Sequence, residues 1–270
     1  MSLSLLKRFK TSLRRPRLPA IRRGGRASLS LCIALTPERL LLSTGTEIEV
    51  APREESAPEW QPAVEAFEKA LGELKNKEAS VVLADRFVRY ALLPWSDTLK
   101  THEQWLDLAR HRFVAIHGPL ANEWEIKFAG TAPGGPRLAC AVDRALVDEL
   151  GARAVAHQVQ LVSVVPFLVA AFNKVRDLTG GSCWLVVEEP GRLTLALFLK
   201  GVWVAIRSRR ADERWRRVLP EIIEREGAFL GLEEPCTRVI VCAQGSFDAE
   251  EHESFRLDAI DYQTLAVAGN

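Results

Sequence analysis

The 270-residue sequence lacks any apolar run near the roughly 18–20 residues needed to span a bilayer. The best candidate, 159–172, is shorter and is interrupted by Gln160, Ser163 and Pro166, so no transmembrane helix is expected. The sequence also lacks a metal knuckle: its five cysteines, Cys32, Cys140, Cys183, Cys236 and Cys242, include no Cys-x-x-Cys pair, and the histidines do not cluster with them. An odd number of widely spaced cysteines, mostly inside apolar strand-like runs, describes reduced core side chains of a cytosolic protein. No Gly-x-Ser-x-Gly is present, so no strand-to-helix nucleophile turn is expected. The glycine-rich stretch 130–136 has no Lys and leads into a strand-like run, while Pro133 and Pro136 remove backbone donors, which excludes a phosphate cradle. No catalytic residue, metal ligand or cofactor is expected from these patterns.

Acidic residues are absent before Glu38. Residues 1–26 carry nine of the 36 Lys and Arg side chains, leaving 27 against 35 acids in the remainder, so a near-neutral chain divides into a basic arm and an acidic body. Apolar Leu3, Leu5, Leu6, Phe9 and Leu13 are interspersed with Lys7, Arg8, Lys10, Arg14, Arg15 and Arg17, which are the candidate contacts to an anionic membrane surface. The alternatives are a solvated tail and, third, a nucleic-acid contact; no nucleic acid is expected, because the acidic body repels phosphates.

The body, within a chain that is 47% apolar, reads as an α/β protein with a repeated order. Strand-like runs fall at 28–34, 40–43 and 46–50, followed by a helix over 59–75 and a strand at 79–84. Ser56 and Glu59 have capping-box spacing, and Trp60, Val64, Phe67, Leu71 and Leu74 form its stripe. The same order recurs at 183–187, 193–199 and 202–206, with a helix over 212–229, kinked at Pro220, and a strand at 238–242. Between the copies lie a strand at 88–93 and a helix over 102–116 with a Thr101/Gln104 capping box. Strands at 124–128 and 137–142, a helix capped by Asp143, a strand at 160–164 and a helix with Pro166 in its first turn complete this part. The expected division is a basic arm at 1–26, a first subdomain at 27–178 with a small α+β insertion at about 87–142, and a second subdomain at 179–270 after the hinge Thr179-Gly180-Gly181.

Glu188-Glu189 sits between two strand runs. Adjacent strand residues point to opposite faces, so a solvated turn is expected there, not a shared carboxylate site. Six of the seven tryptophans fall on helices or strands and read as core. Trp95 follows Pro94 at a corner, and is the candidate partner-contact aromatic.

Three stretches carry a resemblance. Arg89-Tyr90-Ala91-Leu92-Leu93-Pro94-Trp95 precedes an amphipathic helix; Arg137-Leu138-Ala139-Cys140-Ala141-Val142-Asp143-Arg144-Ala145-Leu146-Val147-Asp148 and Leu161-Val162-Ser163-Val164-Val165-Pro166-Phe167-Leu168-Val169-Ala170-Ala171-Phe172 follow it. With the repeated order over residues 27–268, they resemble the actin-like (RNase H-like) ATPase superfamily. Within it they are most similar to the PilM-like proteins of type IV pilus assembly and the cytoplasmic domain of GspL of type II secretion. The resemblance implies a two-subdomain fold with repeated βββαβ order, and a place at the cytoplasmic face of the inner membrane beside a PilN-like or GspM-like bitopic protein. It also implies nucleotide turns bearing Asp and Gly. The corresponding turns here, Ala34-Leu35-Thr36-Pro37-Glu38 and Val187-Glu188-Glu189-Pro190-Gly191, lack Asp and carry Pro, and a single glycine stands in Ala243-Gln244-Gly245-Ser246 where the family has paired glycines. The expectation is a non-catalytic scaffold that binds little or no ATP and does not hydrolyse it. The alternative is a nucleotide-dependent ATPase or kinase of the same superfamily.

Overall fold

A computed structural model of the chain describes residues 31–72, 74, 78–128 and 134–243, and the backbone of 256–261. The basic arm, residues 130–133 of the glycine-rich stretch and Gln244-Gly245-Ser246 lie outside the described residues.

Three sheets organise the described residues. β1 (Leu31–Leu35), β2 (Arg39–Leu42), β3 (Glu47–Glu49), β4 (Glu78–Leu83) and β8 (Gln160–Pro166) form the first, in the order β3-β2-β1-β4-β8. β1 is antiparallel to β2 and parallel to β4; β2 is antiparallel to β3 and β4 is parallel to β8. The second sheet repeats that arrangement with β9 (Cys183–Glu189), β10 (Arg192–Leu199), β11 (Val202–Arg210), β12 (Arg238–Ala243) and β13 (Arg256–Asp261), in the order β11-β10-β9-β12-β13 and with the same strand directions. The third is antiparallel, β5-β7-β6, built from β5 (Val88–Leu93), β6 (Trp124–Phe128) and β7 (Arg137–Asp143).

The expected strands are present, and β13 adds one that the sequence reading did not contain. Its sequence RLDAID places charge among few apolar residues, a weak strand signal. β1 reads LCIAL and is buried throughout, as a strand covered on both faces must be. β9 divides its side chains by the two-residue period. Cys183, Leu185 and Val187 join the core shared with the first sheet, while Trp184 and Val186 join a second core under α5 (Trp215–Phe229). The helix α5 runs through Pro220 and buries Trp215, Leu219, Ile222 and Ile223. All five cysteines are buried and none forms a disulfide.

Helix ends show which local signals win. α2 (His102–His117) starts with the expected capping box: Thr101 accepts from the Gln104 amide, and Gln104 accepts from the Thr101 amide. α1 (Gln61–Leu71) does not use Ser56 and Glu59. It begins two residues after Glu59, with Trp60 as its cap residue and Pro62 in its first turn, where a missing amide costs nothing. α3 (Arg144–Ala156) is capped by Asp143, whose Oδ1 accepts from the Ala145 amide at 3.0 Å and whose Oδ2 accepts from Trp60 Nε1 at 2.8 Å. One carboxylate thus caps α3 and fixes the start of α1. Asp143→Ala is expected to destabilise the fold by about 2 kcal/mol, roughly one for the cap and one for the orphaned indole N–H, and Trp60→Phe by about 1. Urea denaturation of both variants checks this.

At the β10–β11 hairpin, Lys200 and Gly201 both have positive φ (51° and 75°), as the tight turn compatible with strand twist requires. A Cβ at Gly201 would also approach the Gly180 carbonyl at 3.3 Å, so this turn and the preceding linker are packed together.

Candidate functional site

β1 and β9 hold equivalent places in their sheets, and each runs into a hairpin at its carboxyl end, the side of an α/β sheet where ligands bind. After β1, the buried Thr36 closes the turn on itself: its hydroxyl donates to the Arg39 carbonyl and accepts from the Glu38 and Arg39 amides. The turn's backbone donors are therefore occupied by its own side chain. After β9 the two-residue turn is Pro190-Gly191. Proline has no N–H, and Gly191 supplies the positive φ of 72°.

Asp85 follows β4, beside β1, and is 1% exposed. Its Oδ1 accepts from the Leu168 amide at 2.9 Å and from the Tyr90 hydroxyl. Leu168 lies in the first turn of α4 (Phe167–Val175), whose cap residue Pro166 offers no side-chain acceptor, so Asp85 caps that helix from another strand. The Asp85 amide donates to both carboxylate oxygens of Glu189, at 2.9 and 3.0 Å. Glu189 ends β9 and is 5% exposed. Four elements thus meet at two buried carboxyls: the end of β4, Tyr90 of β5, the start of α4 and the second hairpin. Among the described residues no well-formed hydrogen bond reaches Asp85 Oδ2, and the Thr194 hydroxyl acts on the carboxyl more weakly than the Tyr90 hydroxyl and the Leu168 amide do. Phe172 of α4 stacks on Phe198 at 5.2 Å and beside Trp203 at 4.8 Å, which joins the helix to the second sheet.

Burial pushes the Asp85 carboxyl up to about 6, opposed by the Tyr90 hydroxyl, the Leu168 amide, the Thr194 hydroxyl and the Arg192 charge. Burial pushes Glu189 further, to about 9, and the charge on Asp85 adds to the rise, against the Asp85 amide and Arg192. Near neutral pH the pair as a whole holds about one proton. Burial, then Asp85, also raises Tyr90 well above its usual range, so its hydroxyl remains a donor.

The solvated turn expected at Glu188-Glu189 is corrected by this geometry. Glu189 is turned inward and buried, whereas Glu188 is half-buried on the opposite face, as the strand alternation requires. Asp85 carried no role in the sequence reading; the available signal was an acid at the carboxyl end of a buried parallel strand. Trp95 is half-buried. Its ring lies 6.0 Å from Trp105, and its Nε1 donates to Asp97 Oδ1 at 2.9 Å. The candidate membrane contacts Lys7, Arg8, Lys10, Arg14, Arg15 and Arg17 lie outside the described residues. Among the described residues, no helix is long and apolar enough to cross a membrane.

No protein-family model and no curated protein matches the chain. Solved structures do. A chain of the PilM–PilN type IV pilus biogenesis complex is similar with a TM-score of 0.59 at 12% identity, covering 90% of this chain and 91% of that one. A Bacteroides thetaiotaomicron protein of actin-like ATPase fold and unknown function matches with 0.55 at 9% identity, covering 90% and 98%. The cytoplasmic domain of EpsL, an inner-membrane component of the type II secretion system of Vibrio cholerae, matches with 0.54 at 9% identity, covering 88% and 92%. The chain has an actin-like ATPase fold.

Proposed function

We propose that the chain is a non-catalytic, actin-like scaffold on the cytoplasmic face of an inner-membrane assembly platform, of the type IV pilus or type II secretion kind, where it engages a PilN-like or GspM-like bitopic membrane protein. The observation that carries this reading is the Glu189 carboxyl seated on the Asp85 amide, between the two hairpins where the fold family holds nucleotide phosphates. The two turns offer a triphosphate few free backbone donors. Thr36 consumes the amides of the first turn, Pro190 removes one from the second, and a phosphate oxygen placed near Asp85 without a bridging cation would meet its negative charge. Two like charges 4 Å apart at an effective dielectric of 20 repel by about 4 kcal/mol. The likeness to the PilM–PilN complex and to EpsL supports the choice of assembly. The basic arm would add attachment to anionic lipid through Lys7, Arg8, Lys10, Arg14, Arg15 and Arg17, on the order of 1 kcal/mol for each cation near the surface.

A thermal-shift titration with Mg-ATP is expected to leave the melting temperature unchanged. Ligand at a hundredfold excess over Kd would add about 2.7 kcal/mol, roughly 5–10 °C, so a saturable rise of that size would establish the nucleotide-dependent alternative. In cell fractionation, the chain is expected in the membrane fraction and is released when its bitopic partner is deleted. A soluble distribution with the partner present would remove the platform assignment.

A further inference from the structure

Arg137, at the start of β7, lies 4.2 Å from the ring centre of Trp105, 5.7 Å from that of Trp95 and 5.8 Å from that of Phe128. Its Nε is buried and makes no hydrogen bond, and among the described residues the guanidinium has no carboxylate partner within 4 Å. Cation–π contact holds the cation, yet aromatic faces accept none of its five N–H donors in the plane of the fork. The group fronts an open cavity of about 380 Å³ at the end of the third sheet farthest from Asp143, lined also by Trp95, Lys100, Thr101 and His102. Asp97 borders the same cavity, with Oδ1 already bound by Trp95 Nε1.

We propose that this aromatic-walled cavity is a docking site for an acidic segment of a partner protein, with one Asp or Glu carboxylate of that segment paired to the Arg137 guanidinium. Charge selects an anion, since Arg137 and Lys100 face the space against a single engaged carboxylate, and the indole walls of Trp95 and Trp105 favour an anion that carries an aliphatic stem over bare phosphate. Shape agrees. The planar fork suits a carboxylate held bidentately, and the indole walls receive the aliphatic stem of the side chain. At about 30 Å³ per water, the cavity has room for roughly a dozen waters, more than a carboxylate needs and enough for a residue with its flanking backbone. Trp95, the corner aromatic of the sequence, becomes one wall of this site. The site stands whether or not the chain serves a secretion platform.

The test uses the full chain and follows the Arg137 Nε–Hε resonance by NMR, assigned by its loss in Arg137→Lys. N-acetyl-tetraglutamate is expected to shift it saturably, while tetraglutamine and inorganic phosphate at the same concentration do not. Arg137→Lys keeps the charge and loses the fork, so peptide affinity read from the Trp95 indole resonance is expected to fall about tenfold, with the amide spectrum confirming the fold. Absence of a saturable shift, an equal shift from phosphate or tetraglutamine, or unchanged affinity in Arg137→Lys would each overturn the proposal.

Discussion

Asp85→Ala is expected to destabilise the folded chain by about 3–5 kcal/mol, a loss on the order of 10 °C in melting temperature. The substitution removes one acceptor from two buried donors at once. The Leu168 amide loses its partner at the start of a helix whose own cap residue, Pro166, supplies none, and the Tyr90 hydroxyl loses its partner inside the protein. Each orphaned donor costs about 1–3 kcal/mol. One opposing effect reduces the sum: without the charge on Asp85, the Glu189 carboxyl is less strongly repelled. Asp85→Asn separates the effects. An amide oxygen still accepts from Leu168 and Tyr90, and the repulsion disappears, so its cost is expected to stay below about 1 kcal/mol. Urea denaturation at neutral pH measures both; an alanine variant within 1 kcal/mol of the parent would show that the junction does not bear on stability.

Why this junction was not legible in the sequence follows from what each residue looks like locally. Glu189 stands in Glu-Glu-Pro-Gly, a pattern whose usual place is a solvated turn, and Asp85 stands next to a helical turn. Only their contact, 104 residues apart, makes either of them a buried group. The two sheets were legible because burial on both faces leaves continuous apolar runs, as in LCIAL and CWLVV. Local capping signals divided. Thr101 and Gln104 satisfied each other, whereas Ser56 and Glu59 had the same spacing and were overridden: α1 begins at Gln61, Trp60 reaches Asp143, and Glu59 pairs with Arg86. Arg137 is a further case. Its aromatic walls come from the end of β5, from α2 and from β6, and no spacing along the chain brings them to one cation.

Raising the pH from 6 to 9 is expected to weaken the parent chain, and Glu189→Gln is expected to abolish most of that loss. In the unfolded chain Glu189 titrates near its ordinary value of 4.5 and Asp85 near 3.8; in the folded chain they titrate near 9 and 6. Between those limits the folded state holds more protons than the unfolded one, so stability falls as pH rises. The contribution of each carboxyl is fully present below its unfolded value. It is lost by about pH 6 for Asp85 and by about pH 9 for Glu189. Across the upper window Glu189 supplies most of the excess, at most one proton over three pH units, which is about 4 kcal/mol, and Asp85 adds only the tail of its own titration just above pH 6. The groups facing the pair, Tyr90, Thr194, Arg192 and Glu38, remain in the variant, and so does the titration of Asp85 at lower pH. A glutamine has the shape of the protonated acid and its carbonyl still accepts from the Asp85 amide, so the variant should match the parent at pH 6 and exceed it by about 3–4 kcal/mol at pH 9. Urea midpoints at the two pH values, compared between parent and variant, isolate this carboxyl from every other titrating group. An unchanged pH slope in Glu189→Gln would mean that the buried proton is held elsewhere.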